Sequence, residues 1–147
     1  MDARAIHFPA LWSNQGLVYM IDTLDTMSQC TRAGFKSGGY RCAFLIDSDY
    51  HKFEVVDARK LRTLFSFSSM FDLLGILEGN PRWQVELVLG PPKKSSLEEA
   101  KQLISNSFKK EKDSWEEMMD FEEFRDRVAD ATSMEEIFAA FREAHIA

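Results

Sequence analysis

The chain has 147 residues, 45% hydrophobic and 29% charged, with a formal net charge of −6 at pH 7. That length suits one domain, since domains cluster near about 100–150 residues, and the composition excludes collagen-like, low-complexity and disordered classes. The acidic balance argues against nucleic acid and anionic membrane as main partners, and apolar runs of five residues, such as Leu17–Ile21, fall far short of the roughly 20 needed for a membrane span.

In chain order, the opening Met1-Asp2-Ala3-Arg4-Ala5-Ile6-His7 carries an early acid and no apolar run, so it does not read as a signal peptide. Leu17–Ile21 is apolar with β-branched and aromatic members and predicts a strand. Thr23–Ala33 reads as a helix stopped by Gly34 or by Gly38-Gly39. Arg41–Ile46 and Lys52–Val56 flank Asp47-Ser48-Asp49-Tyr50, whose short polar residues suit a tight turn, and together they read as a hairpin. Arg59-Lys60-Leu61-Arg62 reads as a solvated helix start. Phe67–Glu78 carries Phe67, Met70, Phe71, Leu73, Leu74 and Leu77 over a sector of about 160°, with Ser68, Ser69 and Asp72 on a narrow wet side. A helix that apolar is expected to pack across the sheet, and Gly79-Asn80-Pro81 ends it. Trp83, Val85, Leu87 and Leu89 alternate with Arg82, Gln84 and Glu86, the period of a half-buried strand.

Gly90-Pro91-Pro92-Lys93-Lys94-Ser95-Ser96 is a linker-like stretch. Beyond it the composition turns acidic: residues 95–147 hold 7 basic and 14 acidic side chains, against 11 and 10 before them. Ser96-Leu97-Glu98-Glu99 and Ser133-Met134-Glu135-Glu136 are capping boxes, and Asp120-Phe121-Glu122-Glu123 is a box-like start with Asp in place of Ser or Thr. The apolar phase breaks before Phe121, which makes Ser114–Met119 a separate turn of helix. The expected fold is α+β: one domain over 1–147, a small antiparallel sheet packed against helices, mixed over 1–90 and helical over 96–147. Its expected core holds Phe71, Leu74, Leu77, Val85, Leu87, Phe124, Ile137 and Phe141.

Few residues promise chemistry. His7, His51 and His145 lack metal-ligand spacing; His145 reads as aromatic packing at a helix end and His51 as an exposed strand residue. Cys30 and Cys42 form neither a CxxC pair nor a disulfide framework. Cys42 reads as a small buried hydrophobe, and without an export signal the expected compartment is the reducing cytoplasm; a bridge between the two is the alternative. Cys30 and His51 could form a thiolate and its base. Asp22, Asp25, Asp47, Asp49 and Asp57 could gather around Mg²⁺, although Asp is equally a turn residue. Arg59-Lys60-Leu61-Arg62 could touch phosphate. No GxGxxG, P-loop or GxSxG is present, and no catalytic residue, metal or cofactor is assigned.

The strongest surface signal is acidic. Glu122, Glu123, Asp126 and Asp130 fall in a sector about 100° wide, opposite Phe121, Phe124 and Val128. Like charges at i, i+4 cost a few tenths of a kcal/mol per pair, and helix-dipole stabilisation near the N-terminus explains Glu122 and Glu123 but not Asp126 and Asp130. The face reads either as solvated surface or as a docking surface for a basic protein, formed by Trp115, Glu116, Met119, Glu122, Glu123, Asp126 and Asp130.

The order of a hairpin over Tyr40–Asp57, a Phe/Leu helix ending in Gly-Asn-Pro, a strand and an acidic helical tail resembles small bacterial immunity proteins. These are the antidotes of contact-dependent or secretion-delivered toxins. The likeness lies in Leu45-Ile46-Asp47-Ser48-Asp49, Phe53-Glu54-Val55-Val56-Asp57-Ala58 and Ala131-Thr132-Ser133-Met134-Glu135-Glu136. It implies a non-enzymatic, cytoplasmic binding protein that neutralises a cognate toxin, such as a nuclease, by covering its active site. Nucleases need basic surfaces, and an acidic antidote would meet one with complementary potential. The alternatives are a small metal-dependent hydrolase or nuclease using Asp22, Asp25, Asp47 or Asp49, and an adaptor or regulatory subunit.

Overall fold

The computed structural model describes residues 6–66, 69–111, 113 and 121–146. Its centre is an antiparallel sheet of seven strands. Strands β1 (Ala10–Asn14) and β2 (Leu17–Ile21) pair across a two-residue turn, Gln15-Gly16, in which both residues take positive φ (52° and 84°). Such turns match the twist of the strands they join. The other edge of β1 pairs with β4 (Phe44–Asp47), and β4 turns through Tyr50 (φ 62°) into β5 (His51–Thr63). The thirteen residues of β5 outrun β4. Past Val55 the strand pairs with β6 (Arg82–Leu89), with register shifts at Val55/Asp57 and Lys60/Arg62. Irregularities of this kind add local twist, and here they curl the sheet. A short β3 (Gln29–Thr31) lies on the far edge of β6, and β7 (Lys93–Lys94) pairs with the start of β5.

Alternation along β1 sends neighbouring side chains into two cores. Leu11 joins Val18 and Ile46 beneath three helices, α3 (Leu97–Lys110), α4 (Phe121–Asp130) and α5 (Met134–Ile146), which contribute Ile104, Phe108, Phe124, Val128, Ile137 and Phe141. Trp12 joins Ala10, Ile21, Leu45, Phe53 and Leu89 on the opposite side. The architecture is therefore α+β, with the acidic helical part sharing a core with the sheet. Both Ser capping residues act as their sequence requires: Ser96 Oγ accepts from the Glu99 N–H at 3.1 Å and Ser133 Oγ from the Glu136 N–H at 3.3 Å.

Several expectations fail. Thr23–Ala33 is not a helix but a 3₁₀ turn (Asp25–Met27), strand β3 and the start of a five-residue helix, α1 (Arg32–Lys36), which Thr31 caps by accepting from the Gly34 N–H. Pairing with β6 outweighs local helical preference there. Arg59-Lys60-Leu61-Arg62 lies inside β5 rather than starting a helix, and Lys93-Lys94 is a strand rather than linker. Cys42 is exposed, in the left-handed region at φ 61°, rather than a buried hydrophobe. The apolar helix, α2 (Met70–Leu77), does not pack across the sheet. Phe71, Leu74 and Leu77, expected in the core, are exposed, whereas Val85, Phe124, Ile137 and Phe141 are buried and Leu87 packs partly buried against the second core. Ser114–Met119 lies outside the described residues.

Candidate functional site

Two faces and one buried turn hold the residues singled out by sequence. The turn is built on Asp47, which is fully buried. Its carboxylate accepts from the backbone N–H groups of His7 (3.1 Å), Asp49 (2.9 Å) and His51 (2.9 Å). Asp49 reaches His7 Nδ1 at 3.1 Å, and His51 Nδ1 stands 3.8 Å from Asp47. Three backbone donors on one carboxylate make Asp47 the organiser of the β4–β5 turn, a use that needs no substrate. A cleft of about 590 Å³ opens beside this turn against the start of α3, lined by Tyr50, His51, Lys94 and Leu97 among others. Asp22 and Asp25 stay exposed near the β2 end, and among the described residues no group of three or more His, Cys, Asp or Glu side chains is arranged to hold a metal.

Cys30 and Cys42 are free thiols. Burial pushes the Cys30 thiol up, a hydrogen bond with Tyr40 only partly opposing it, and burial pushes the Tyr40 hydroxyl up as well, with Cys30 beside it. A thiol held in its protonated form is a poor nucleophile. That environment works against a Cys30–His51 pair.

On α4 the structure places Glu122, Glu123, Asp126 and Asp130 in solvent, with Phe124 and Val128 buried beneath. The arginines of this helix offset little of that charge. Arg127 pairs with Glu143 on α5, and Arg125 lies over the Phe121 ring with its Nε 4.0 Å from Asp126. Lys101 donates to the Ala129 carbonyl at 2.9 Å rather than reaching the acids. Glu122 and Asp130 carry no ion pair among the described residues. The residues expected beside them, Trp115, Glu116 and Met119, lie outside the described residues.

The face that sequence reasoning missed belongs to α2. Its buried side chain is Asp72, 4% exposed, while Phe71 is 88% and Leu77 73% exposed. The inversion has a local cause. Arg82, at the start of β6, donates to Asp72 through Nε (3.1 Å) and Nη2 (3.2 Å), and Ser66 donates its N–H at 3.0 Å. Ser69 caps the helix by accepting from the Asp72 N–H at 3.3 Å. At the other end the Asn80 N–H donates to the Gly75 carbonyl at 2.7 Å, and Asn80 Oδ1 accepts from Ala33 at 2.8 Å. A Cβ on Gly75 would stand 2.8 Å from the Asn80 carbonyl oxygen, so this close approach requires glycine. Polar ties hold α2 down and leave its apolar side outward. The signal was present as Asp72 followed by Gly75 on one flank, with an arginine ten residues on; an apolar sector that wide does not say which way it points.

Comparison with known proteins finds no matching family model, no matching curated protein and no matching solved structure. Among the described residues no helix is long and apolar enough to cross a membrane.

Proposed function

We propose that this chain is a non-enzymatic binding protein whose partner is a basic protein. In the immunity reading, it neutralises a toxin domain in the reducing bacterial cytoplasm by covering its active site. The observation that carries the reading is the outer face of α4. Four carboxylates stand in solvent within one sector; Arg127 pairs with Glu143 on the neighbouring helix, and Arg125, over the Phe121 ring, reaches among the described residues only Asp126, at 4.0 Å. Repulsion along Glu122, Asp126 and Asp130 weakens α4 slightly, and a basic partner turns that repulsion into attraction and faster association. The groups that could have served chemistry support the same reading, because Asp47 is engaged by three backbone donors and Cys30 is held as a thiol.

The test screens the products of the neighbouring genes for a basic protein that binds this chain, and measures that association. Asp126→Asn with Asp130→Asn is expected to slow association several-fold and to flatten its salt dependence, since steering charges act on the on-rate. Thermal stability should hold or rise, because two like-charge contacts vanish. An unchanged on-rate and salt slope in the folded double variant would reduce the face to solvated surface, and the absence of any basic binding partner among the neighbouring gene products would remove the immunity reading.

A further inference from the structure

The outward face of α2 is uncovered among the described residues, and we infer that a second copy of this chain covers it, in a two-fold contact of α2 on α2. Met70, Phe71, Leu73, Leu74, Ile76 and Leu77 are each 43–88% exposed. Their exposed area is on the order of 700 Å², above the roughly 300–600 Å² of the largest apolar patch on a typical monomer. That compares with the about 800 Å² that one partner contributes to a stable interface; Phe65 and Leu61, on the chain leading into α2, are also exposed, at 42% and 56%.

The occupant follows from charge and symmetry. An isologous contact turns one surface onto itself, so any charge near the axis meets its own like. The helix avoids that, because Asp72, its sole carboxylate, is turned inward and neutralised by Arg82. The helix itself, Met70–Leu77, carries no Lys or Arg, and the cations on the neighbouring strands already have partners within the chain. Arg82 also donates to Gln29, Arg62 to Gln84 and Arg59 to Asp57, while Lys60 lies over the Trp83 ring. An anionic lipid or an acidic peptide therefore finds little at this face to recognise, and an uncharged copy of the same helix finds a match. Met70, Leu74 and Leu77 fall at i, i+4 and i+7, the seam along which two helices pack. A two-fold axis across that seam sets the helices antiparallel, so that opposite dipole ends lie side by side.

Sedimentation of the full chain over roughly 1–200 µM, a range that brackets micromolar dimers, is expected to show a monomer–dimer equilibrium. Leu77→Glu and Phe71→Glu change side chains that are largely exposed in the monomer, so circular dichroism should match the wild type while dimerisation weakens by about 100-fold or more. The unfolding midpoint of the wild type should rise with protein concentration and that of either variant should not. A wild type that stays monomeric throughout, or a dimer that survives both variants, would overturn the inference. So would a monomer that binds phosphatidylglycerol vesicles and loses that binding with Leu77→Glu, which would assign the face to lipid. None of these outcomes alters toxin association through α4, which the Asp126→Asn, Asp130→Asn variant reports separately.

Discussion

Replacing Asp72 by Asn tests whether polar ties alone keep the apolar side of α2 outward. The variant preserves shape and removes the charge that accepts from Arg82 Nε and Nη2 and from the Ser66 N–H. Breaking a fully buried ion pair costs about 3–5 kcal/mol. Arg82 is 43% exposed and can rehydrate, which brings the expected cost down to about 2–3 kcal/mol, since exposed partners contribute less. Asp72 is the buried side chain of α2, so little apolar burial remains to hold the helix once the pair is lost. The cost should therefore appear as local opening rather than as loss of the whole fold. Hydrogen exchange of the Met70–Leu77 amides should accelerate by about 30- to 150-fold, at one decade per roughly 1.4 kcal/mol. Amides of β1 and β4, deep in the sheet, should keep their protection. Unchanged exchange in α2, or an equal loss across β1 and β4, would refute the reasoning.

Phe124, 2% exposed and edge-on to Phe108 and Phe141, ties α4 to its neighbours. Phe124→Ala should lower the urea-unfolding free energy by about 3–5 kcal/mol, and an unchanged midpoint would detach the helical part from the sheet core. Cys42 is exposed and Cys30 is a raised thiol, so iodoacetamide should label Cys42 first as pH rises, with Cys30 following only above the ordinary thiol range. The raised value also sets a sign: the stability it contributes is full below the ordinary thiol range and is lost as pH climbs through the raised value, because the unfolded chain gives up its proton first. Mass spectrometry of the labelled chain and denaturation curves at neutral and alkaline pH check both statements.

Much of this architecture is legible where local and long-range preferences agree. Trp83–Leu89 and the helices begun by Ser96 and Ser133 combine clear periods with clear starts or stops, and the short apolar run Leu17–Ile21 forms the strand its β-branched and aromatic members suggest. The acids of α4 are legible for the same reason, since Phe124 and Val128 fix which side faces water. Legibility ends where a distant partner decides. Gln29–Thr31 becomes a strand because β6 passes beside it, and Arg59–Arg62 stays extended because β5 outruns β4 and meets β6. Strand β1 gives no alternation to read, because its first four residues are all buried, with a core on each face of the sheet. The direction of α2 depends on one ion pair ten residues apart in sequence, which no periodicity encodes.

The placement of β1 between β2 and β4 fixes a timetable for synthesis. The β1–β2 hairpin can close as soon as Ile21 leaves the ribosome, but the second edge of β1 waits for Phe44–Asp47. The face bearing Leu11, Val18 and Ile46 waits far longer, because its cover comes from helices ending at Ile146. At about 5–20 residues per second, the newborn sheet stands with one greasy side bare for roughly 5–20 s. During that interval the bare face is open to non-native association, and the yield in the cell should follow translation speed through the last two thirds of the message.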